Sequence, residues 1–300
     1  MARDFDLAPQ PPLPLAAADD YSAAALRMSG GPWRGVREHR DVRFGPEPWQ
    51  GYDVFAPDGE GSGRDVLVFV HGGGWTNGYK EWCGLLAPAV CGAGMVLVAP
   101  THRLAPTVRW PDFARDVAAA IGAFRMRAEE WGADAGRLIL AGHSAGGHIA
   151  AMLALRPDIP DAPGWDGAAV RACAPVSGIL DLHHPGPPEG SLEARVYSHV
   201  LRTPEEDRAA SPLSHAEAAR VPFLLAWGTR DTERVRLSNA GMARRLAAAG
   251  RPHVARTYDG DHFTMHLDLA DPGHDWHARL AALRAEIPRP RAATPGEVRP

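Results

Sequence analysis

The chain has 300 residues, of which 45% are hydrophobic and 23% are charged, an ordinary composition for a globular protein. Its 32 Lys and Arg residues nearly balance 36 Asp and Glu residues, which gives a formal net charge of −4. The basic residues form no run, so nucleic acid is not an expected partner, because phosphate contacts need clustered positive charge. The length favours one large domain with loosely held ends.

The first residues indicate where the protein works. Residues 1–20 carry acidic side chains where an export signal would be positive, and they lack an uninterrupted apolar stretch. The longest apolar runs elsewhere fall far short of the roughly 20 residues of a membrane-spanning helix. Three cysteines are too few for a disulfide framework, and we expect buried free thiols at Cys83, Cys91 and Cys173. These features predict a cytoplasmic protein with no membrane partner.

Short apolar runs alternate with amphipathic stretches along the chain, which predicts parallel βαβ units and an α/β fold. A Pro/Gly/His-rich insertion at 178–212 is long enough to form a lid or a pocket wall. We expect a loose segment at 1–19, one domain at 20–286 and a disordered tail at 287–300. An antiparallel hairpin is predicted at 36–44 and 52–55; further strands at 66–70, 95–99, 138–141, 170–174, 222–227 and 253–258; and helices at 110–131, 145–155, 237–249 and 276–287.

The sharpest motif is Gly142-His-Ser-Ala-Gly146, between a predicted strand and a predicted helix. A nucleophile elbow needs this context, since glycines leave room for close backbone contacts while the serine is pushed into the open. The helix N-terminus beside it favours developing negative charge. The alternative is a glycine-rich turn with a capping serine. The context favours Ser144 as a nucleophile.

A second motif, His71-Gly-Gly-Gly-Trp75, follows the buried strand at 66–70. Consecutive glycines let backbone N–H groups point into a site, where they can bind an oxyanion. The alternatives are a flexible turn or a phosphate-binding loop, and no Gly-Lys-Ser/Thr sequence follows to support the latter.

A serine nucleophile needs a histidine base and an acid that orients it, and in this layout they follow in the order Ser, acid, His. His262 comes after the last predicted strand and is the best base. Asp231 follows the strand at 222–227 and is the favoured acid, with Glu233 as the other candidate. His262 and His266 could instead form a zinc pair, but no His-Glu-x-x-His pattern is present. We expect neither metal nor cofactor.

Together these motifs resemble the α/β-hydrolase fold, and within it the group that unites hormone-sensitive-lipase-like esterases with kynurenine formamidases. The resemblance covers roughly residues 21–283 and implies that Gly73, Gly74 and Ala145 supply the oxyanion N–H groups. The esterase side depends on the two motifs above and on 101–106. The formamidase side depends on 20–22, 146–148, 176–182, 210–213 and 261–263.

The resemblance implies a serine hydrolase that cleaves a small ester or an aryl formamide, with a substrate of the N-formyl-kynurenine type expected first. Alternatives are a general carboxylesterase or thioesterase and, from another class, a non-catalytic binding module on a hydrolase scaffold. Trp75, His143 and Trp110 are expected to line the substrate pocket. The expected partners are a small-molecule substrate and, at most, a second copy of the chain.

Overall fold

Eight strands form one mixed sheet in the computed structural model, which describes residues 5–13, 15 and 17–287. The strand order is β1-β2-β4-β3-β5-β6-β7-β8. β2 is antiparallel to both β1 and β4, and every other neighbouring pair is parallel. The strands are β1 Val36–Arg43, β2 Gly51–Pro57, β3 Arg64–Val70, β4 Val96–Pro100, β5 Ala133–His143, β6 Val170–Val176, β7 Phe223–Gly228 and β8 His253–Tyr258. The predicted α/β class and the predicted hairpin are confirmed.

Helices cover both faces of the sheet, which explains why its central strands read as continuous apolar runs. The helices are α1 Ala18–Met28, α2 Ala87–Gly92, α3 Asp112–Arg125, α4 Ala145–Leu155, α5 Leu192–Arg195, α6 Glu233–Ala248, α7 Thr264–Leu267 and α8 Asp275–Ala285. Side chains of α3, α4 and α6 share one buried cluster with Val66 and Val68 of β3. Side chains of α1, α2, α7 and α8 share the other with Leu67 and Phe69. Alternate residues of β3 thus point into opposite cores.

The N-terminal segment forms hydrogen bonds to the loop after β3. The Gln10 side chain accepts a hydrogen bond from the Gly78 amide at 2.7 Å and donates one to the Gly78 carbonyl at 2.9 Å. The Tyr79 hydroxyl donates to the Ala8 carbonyl at 2.7 Å. A proline-rich segment shows no periodic apolar pattern, yet its carbonyls and amide groups still bind the loop after β3. Within the segment expected to be loose, Ala8 and Gln10 thus have defined hydrogen-bond partners in this loop.

The other end of the chain is described up to Ile287, which packs against the α8 side of the core. The predicted disordered tail otherwise lies outside the described residues. All three cysteines are buried and free. None of the helices in the described part of the chain has the length and apolar character that a membrane crossing requires.

Candidate active site

Ser144 stands alone between β5 and α4, in a backbone conformation that is rare for a residue with a side chain, with φ +55° and ψ −118°. Neighbouring backbone approaches this turn so closely that only glycine fits two residues before and two residues after Ser144. A Cβ on Gly146 would lie 2.1 Å from the carbonyl oxygen of Val70, and one on Gly142 would lie 2.6 Å from the backbone of Gly146. The predicted strand, turn and helix are all present. The turn thus has the form of a nucleophile elbow.

His262 lies between Ser144 and Asp231. Its Nε2 is 2.8 Å from the Ser144 Oγ, and its Nδ1 is 2.7 Å from an Asp231 carboxylate oxygen. Because a carboxylate only accepts hydrogen bonds, Nδ1 carries the proton and Nε2 can accept one from the serine hydroxyl. The Asp231 side chain has no exposed surface, whereas 15% of the His262 side chain is exposed. A buried acid thus fixes the ring of a base that reaches the nucleophile.

The sheet brings these three residues together, because each follows the carboxyl end of a parallel strand. Ser144 comes directly after β5, Asp231 three residues after β7, and His262 four residues after β8. The Asp231 carboxylate also accepts a hydrogen bond from the Thr232 amide at 2.8 Å, which holds it in its own loop. Glu233, the other candidate acid, is exposed at the first residue of α6. Asp231 is the residue that accepts the hydrogen bond from Nδ1 of His262.

The glycine motif after β3 forms a loop beside Ser144. Gly73 and Gly74 both have positive φ angles, +111° and +61°, and a Cβ on Gly73 would meet the Asn77 carbonyl oxygen at 2.2 Å. Within the described residues, the backbone N–H groups of Gly73, Gly74 and Ala145 donate to no protein acceptor. Donors of this kind at a helix N-terminus and a glycine turn can bind a negatively charged oxygen.

Trp75 links this loop to the rest of the site. Its indole N–H donates to Nδ1 of His148 at 3.2 Å, and Nε2 of His148 donates to the Ala210 carbonyl at 2.8 Å. Burial lowers the pKa of His148 to about 4. The ring is therefore neutral near pH 7, as the two hydrogen bonds require. His148 thus connects the glycine loop to the insertion at 178–212.

A buried cluster of three rings, those of Tyr21, His143 and His266, contacts the backbone of His262 through His143. The Nε2 of His143 donates to the backbone carbonyl of His262 at 2.7 Å. The Tyr21 hydroxyl lies 2.9 Å from Nδ1 of His266 and 3.4 Å from Nδ1 of His143. Burial holds the pKa of His143 well below its usual value and lowers that of His266 to about 3. Neutral rings are the form that this network uses.

A zinc ion bound by His262 and His266 would need a free ring nitrogen on each histidine, facing a common site. Both ring nitrogens of His262 have protein partners, and His266 is fully buried with Tyr21 at its Nδ1. In the part of the chain that the structure describes, no three His, Cys, Asp or Glu side chains are grouped to hold a metal ion.

A cavity of about 320 Å³ opens onto Ser144 and His262. Most of its wall is apolar and aromatic, and residues of the insertion form one side, as the sequence suggested. Trp75 and His143, two of the expected pocket residues, are among its lining residues. The other lining residues are Leu13, Leu15, Tyr21, Gly73, Gly74, Thr76, Trp82, Ile179, Leu192, Glu193, Arg195, Val196, Val200, Thr232, Arg234, Val235 and Phe263.

Trp110, which the sequence places at the pocket, is not among the described residues that line this cavity. Its ring is 5% exposed and packs edge-on against His148, with ring centroids 5.4 Å apart, and against Phe113 at 5.8 Å. Trp110 thus supports the site from within the core. Leu13 and Leu15, which sequence reasoning assigned to a loose end, border the cavity instead.

A family profile and two of the most similar curated relatives found for this chain agree on its family. The BD-FAE family profile matches residues 52–240. Esterase LipC of Mycobacterium tuberculosis is 31% identical over 274 residues, covering 86% of this chain and 68% of LipC. The probable isoprenylcysteine alpha-carbonyl methylesterase ICMEL1 of Arabidopsis thaliana is 27% identical over 252 residues, covering 78% of this chain and 52% of that protein. The chain thus spans about two thirds of one relative and about half of the other.

Solved structures share the fold. A truncated carbohydrate esterase from gut microbiota superimposes with a TM-score of 0.73 at 18% identity, covering 85% of this chain and all of that one. The carboxylesterase EstE1, from a metagenomic library, gives a TM-score of 0.71 at 21% identity, covering 90% of this chain and 96% of that one. The predicted α/β-hydrolase fold is confirmed. The chain belongs to the BD-FAE family, a group of esterases with the α/β-hydrolase fold.

Proposed function

We propose that the protein is a serine carboxylesterase that hydrolyses a small carboxylic ester through an acyl-enzyme. One observation carries the proposal: Asp231, His262 and Ser144 form a continuous hydrogen-bonded chain that ends at an open cavity. A binding module would not need a buried acid, an oriented base and a strained serine in one line. The non-catalytic alternative is therefore the weaker one.

The reaction follows from the positions of the protons. Ser144 Oγ attacks the ester carbonyl carbon while Nε2 of His262 takes the hydroxyl proton. The same proton then passes to the leaving alkoxide oxygen, and the C–O bond of the ester breaks. Water attacks the acyl-enzyme by the same route, and the acid leaves while Ser144 regains its proton. Asp231 holds the imidazole tautomer and stabilises its charged form.

The backbone N–H groups of Gly73, Gly74 and Ala145 are the proposed oxyanion donors. In each tetrahedral intermediate the carbonyl oxygen becomes negative, and fixed donors stabilise that charge without reorganising. Removing one such donor typically lowers kcat about 100- to 1,000-fold. The glycine loop can fill this role because its turn is fixed by the contact of Gly73 with Asn77 and by the Trp75 indole.

The relatives and the cavity wall both bear on which bond this mechanism cleaves. The names of the relatives support an ester, because LipC is called an esterase and ICMEL1 a probable methylesterase. The same triad could also act on an aryl formamide, the substrate expected first from the sequence, and aromatic rings at Trp75, Trp82 and Phe263 could hold an aryl group. The general ester fits the site at least as well, and we place it first.

The test is kcat/KM of the purified protein on phenyl acetate, phenyl butyrate and N-formyl-kynurenine. We expect ester hydrolysis that falls by at least about 10,000-fold in Ser144→Ala, the scale seen when a triad serine is removed. The control Ser214→Ala removes an exposed hydroxyl at a position that does not line the cavity, and it should keep wild-type rates. Turnover of the formamide alone would replace the ester proposal. Turnover that survives in Ser144→Ala would refute the mechanism.

A further inference from the structure

The insertion places a positive charge on the cavity wall. Arg195 is the last residue of α5, is half-buried and lines the cavity that contains Ser144. One of its terminal nitrogens donates to the Thr76 hydroxyl oxygen at 3.1 Å. The Thr76 hydroxyl in turn donates to the Asn77 side chain at 2.8 Å. Arg195 therefore reaches across the cavity mouth to the glycine loop.

The other arginine of the cavity, Arg234, is paired with a carboxylate in the described part of the chain, whereas Arg195 is not. Arg234 lies 3.5 Å from the Glu193 carboxylate and donates to the Asp181 carbonyl at 3.2 Å. Arg195 has no carboxylate within 4.0 Å among the described residues. The hydrogen bond to neutral Thr76 satisfies one of its five N–H groups and none of its charge.

The surroundings strengthen the attraction of this guanidinium for an anion. Much of the cavity wall is apolar, including Leu192 and Val196 on either side of Arg195 in the chain. A charge beside apolar surface is screened less than one in open water. The guanidinium is also a planar fork whose paired N–H groups match the two oxygens of a carboxylate.

We propose that the ester substrate carries a carboxylate, and that Arg195 binds this group beside Thr76. This inference rests on the proposed esterase function and names its substrate class. Arg195 is then a specificity-determining residue, while Ser144 and His262 carry out the bond cleavage. The position of Arg195 on the insertion would make the insertion the element that selects the substrate.

Two matched pairs of esters test the inference, one for each side of the scissile bond. In the acyl pair, monophenyl glutarate is compared with phenyl 5-methylhexanoate, where an isopropyl group replaces the carboxylate. In the alcohol pair, 4-(acetoxymethyl)benzoate is compared with 4-isopropylbenzyl acetate. The measured quantity is the ratio of kcat/KM for the anionic ester to kcat/KM for its neutral partner.

We expect wild type to prefer the anionic ester in at least one pair, and Arg195→Gln to lower that ratio about 10- to 100-fold, as expected for loss of a charge-assisted hydrogen bond. Arg195→Lys keeps the charge without the fork and should give an intermediate ratio. Arg244→Gln, at an exposed position of α6, removes the same charge outside the cavity and should keep the wild-type ratio.

The possible outcomes distinguish failure of the carboxylate inference from failure of the esterase proposal. If neutral esters are hydrolysed in a Ser144-dependent way but the ratio is the same in wild type and Arg195→Gln, the carboxylate inference is overturned and the esterase proposal stands. If no ester is hydrolysed in a Ser144-dependent way, both fail. An equal loss on anionic and neutral esters in Arg195→Gln would make Arg195 a brace between the insertion and the glycine loop, which also overturns the inference.

Discussion

The buried neutral histidines should make the folded protein sensitive to acid. Burial lowers the pKa of His266 to about 3 and that of His148 to about 4, whereas histidine in an unfolded chain titrates near 6.5. The unfolded state therefore binds these protons first as the pH falls. Their contribution to stability is complete above about pH 6.5 and is lost progressively below it, down to the folded pKa values.

The magnitude follows from the size of these shifts. Protonation of His266 or His148 in the unfolded state lowers the unfolding free energy by about 1.4 kcal/mol per pH unit below 6.5. Between pH 7.5 and pH 5.0 each of these two residues therefore lowers it by about 2 kcal/mol. His266→Phe isolates one of them. The imidazole of His266 stacks on Phe69 with ring centroids 5.4 Å apart, and its Nε2 has no hydrogen-bond partner within the described residues. A phenyl ring suits this environment, although Tyr21 loses a partner.

The assay is urea denaturation followed by tryptophan fluorescence at pH 7.5 and pH 5.0. We expect the loss of unfolding free energy between the two pH values to be about 2 kcal/mol larger in wild type than in His266→Phe. Met265→Leu changes packing at the neighbouring buried position without removing an imidazole, and it should show the wild-type pH dependence. Equal losses in wild type and His266→Phe would refute the assignment of His266 as a neutral buried ring.

The strands could be predicted because the sheet is buried on both faces. The run at 66–70 reads as apolar since successive residues of β3 enter two different cores. The pattern predicts the helix at 145–155 with its observed bounds, because the glycine-rich turn marks its start. The sequence also predicts that the candidate triad residues lie near one edge of the sheet, since the carboxyl ends of parallel strands meet there.

The elements that the sequence did not predict, such as α1 and the segment before it, lack a clear periodic pattern of apolar residues. Helix α1 buries Ala18, Tyr21 and Ala25 and exposes much of the rest, so its pattern is weak. The segment before it is held through Gln10, whose bonds to the Gly78 backbone depend on a loop 68 residues away. No local pattern contains such a contact.

Charged pocket residues were missed for a related reason. Arg195 lies in the insertion, which has no clean periodicity, and its position over the cavity depends on how that insertion folds back onto the glycine loop. A lone arginine in a loop-rich segment otherwise reads as a solvated surface charge. Trp110 shows the converse difficulty: its ring is buried in the core, and a large ring near a predicted site is more often a core residue than a pocket residue.

Two substitutions test how the site is held in place. Gly146→Ala should abolish folding or lower the unfolding free energy by more than about 3 kcal/mol. The new Cβ would overlap the carbonyl oxygens of Val70 and His71, so the elbow must open to admit it. Thermal unfolding measures this effect, and a wild-type Tm would contradict the close approach. His143→Leu should lower kcat on phenyl acetate about 10- to 100-fold, because the buried carbonyl of His262 loses its donor and the base is no longer held toward the serine. His143→Gln keeps an N–H donor and should recover part of that loss. If Leu and Gln act alike, the packing of the His143 ring rather than its hydrogen bond positions the base, because of the two variants only Gln keeps an N–H donor.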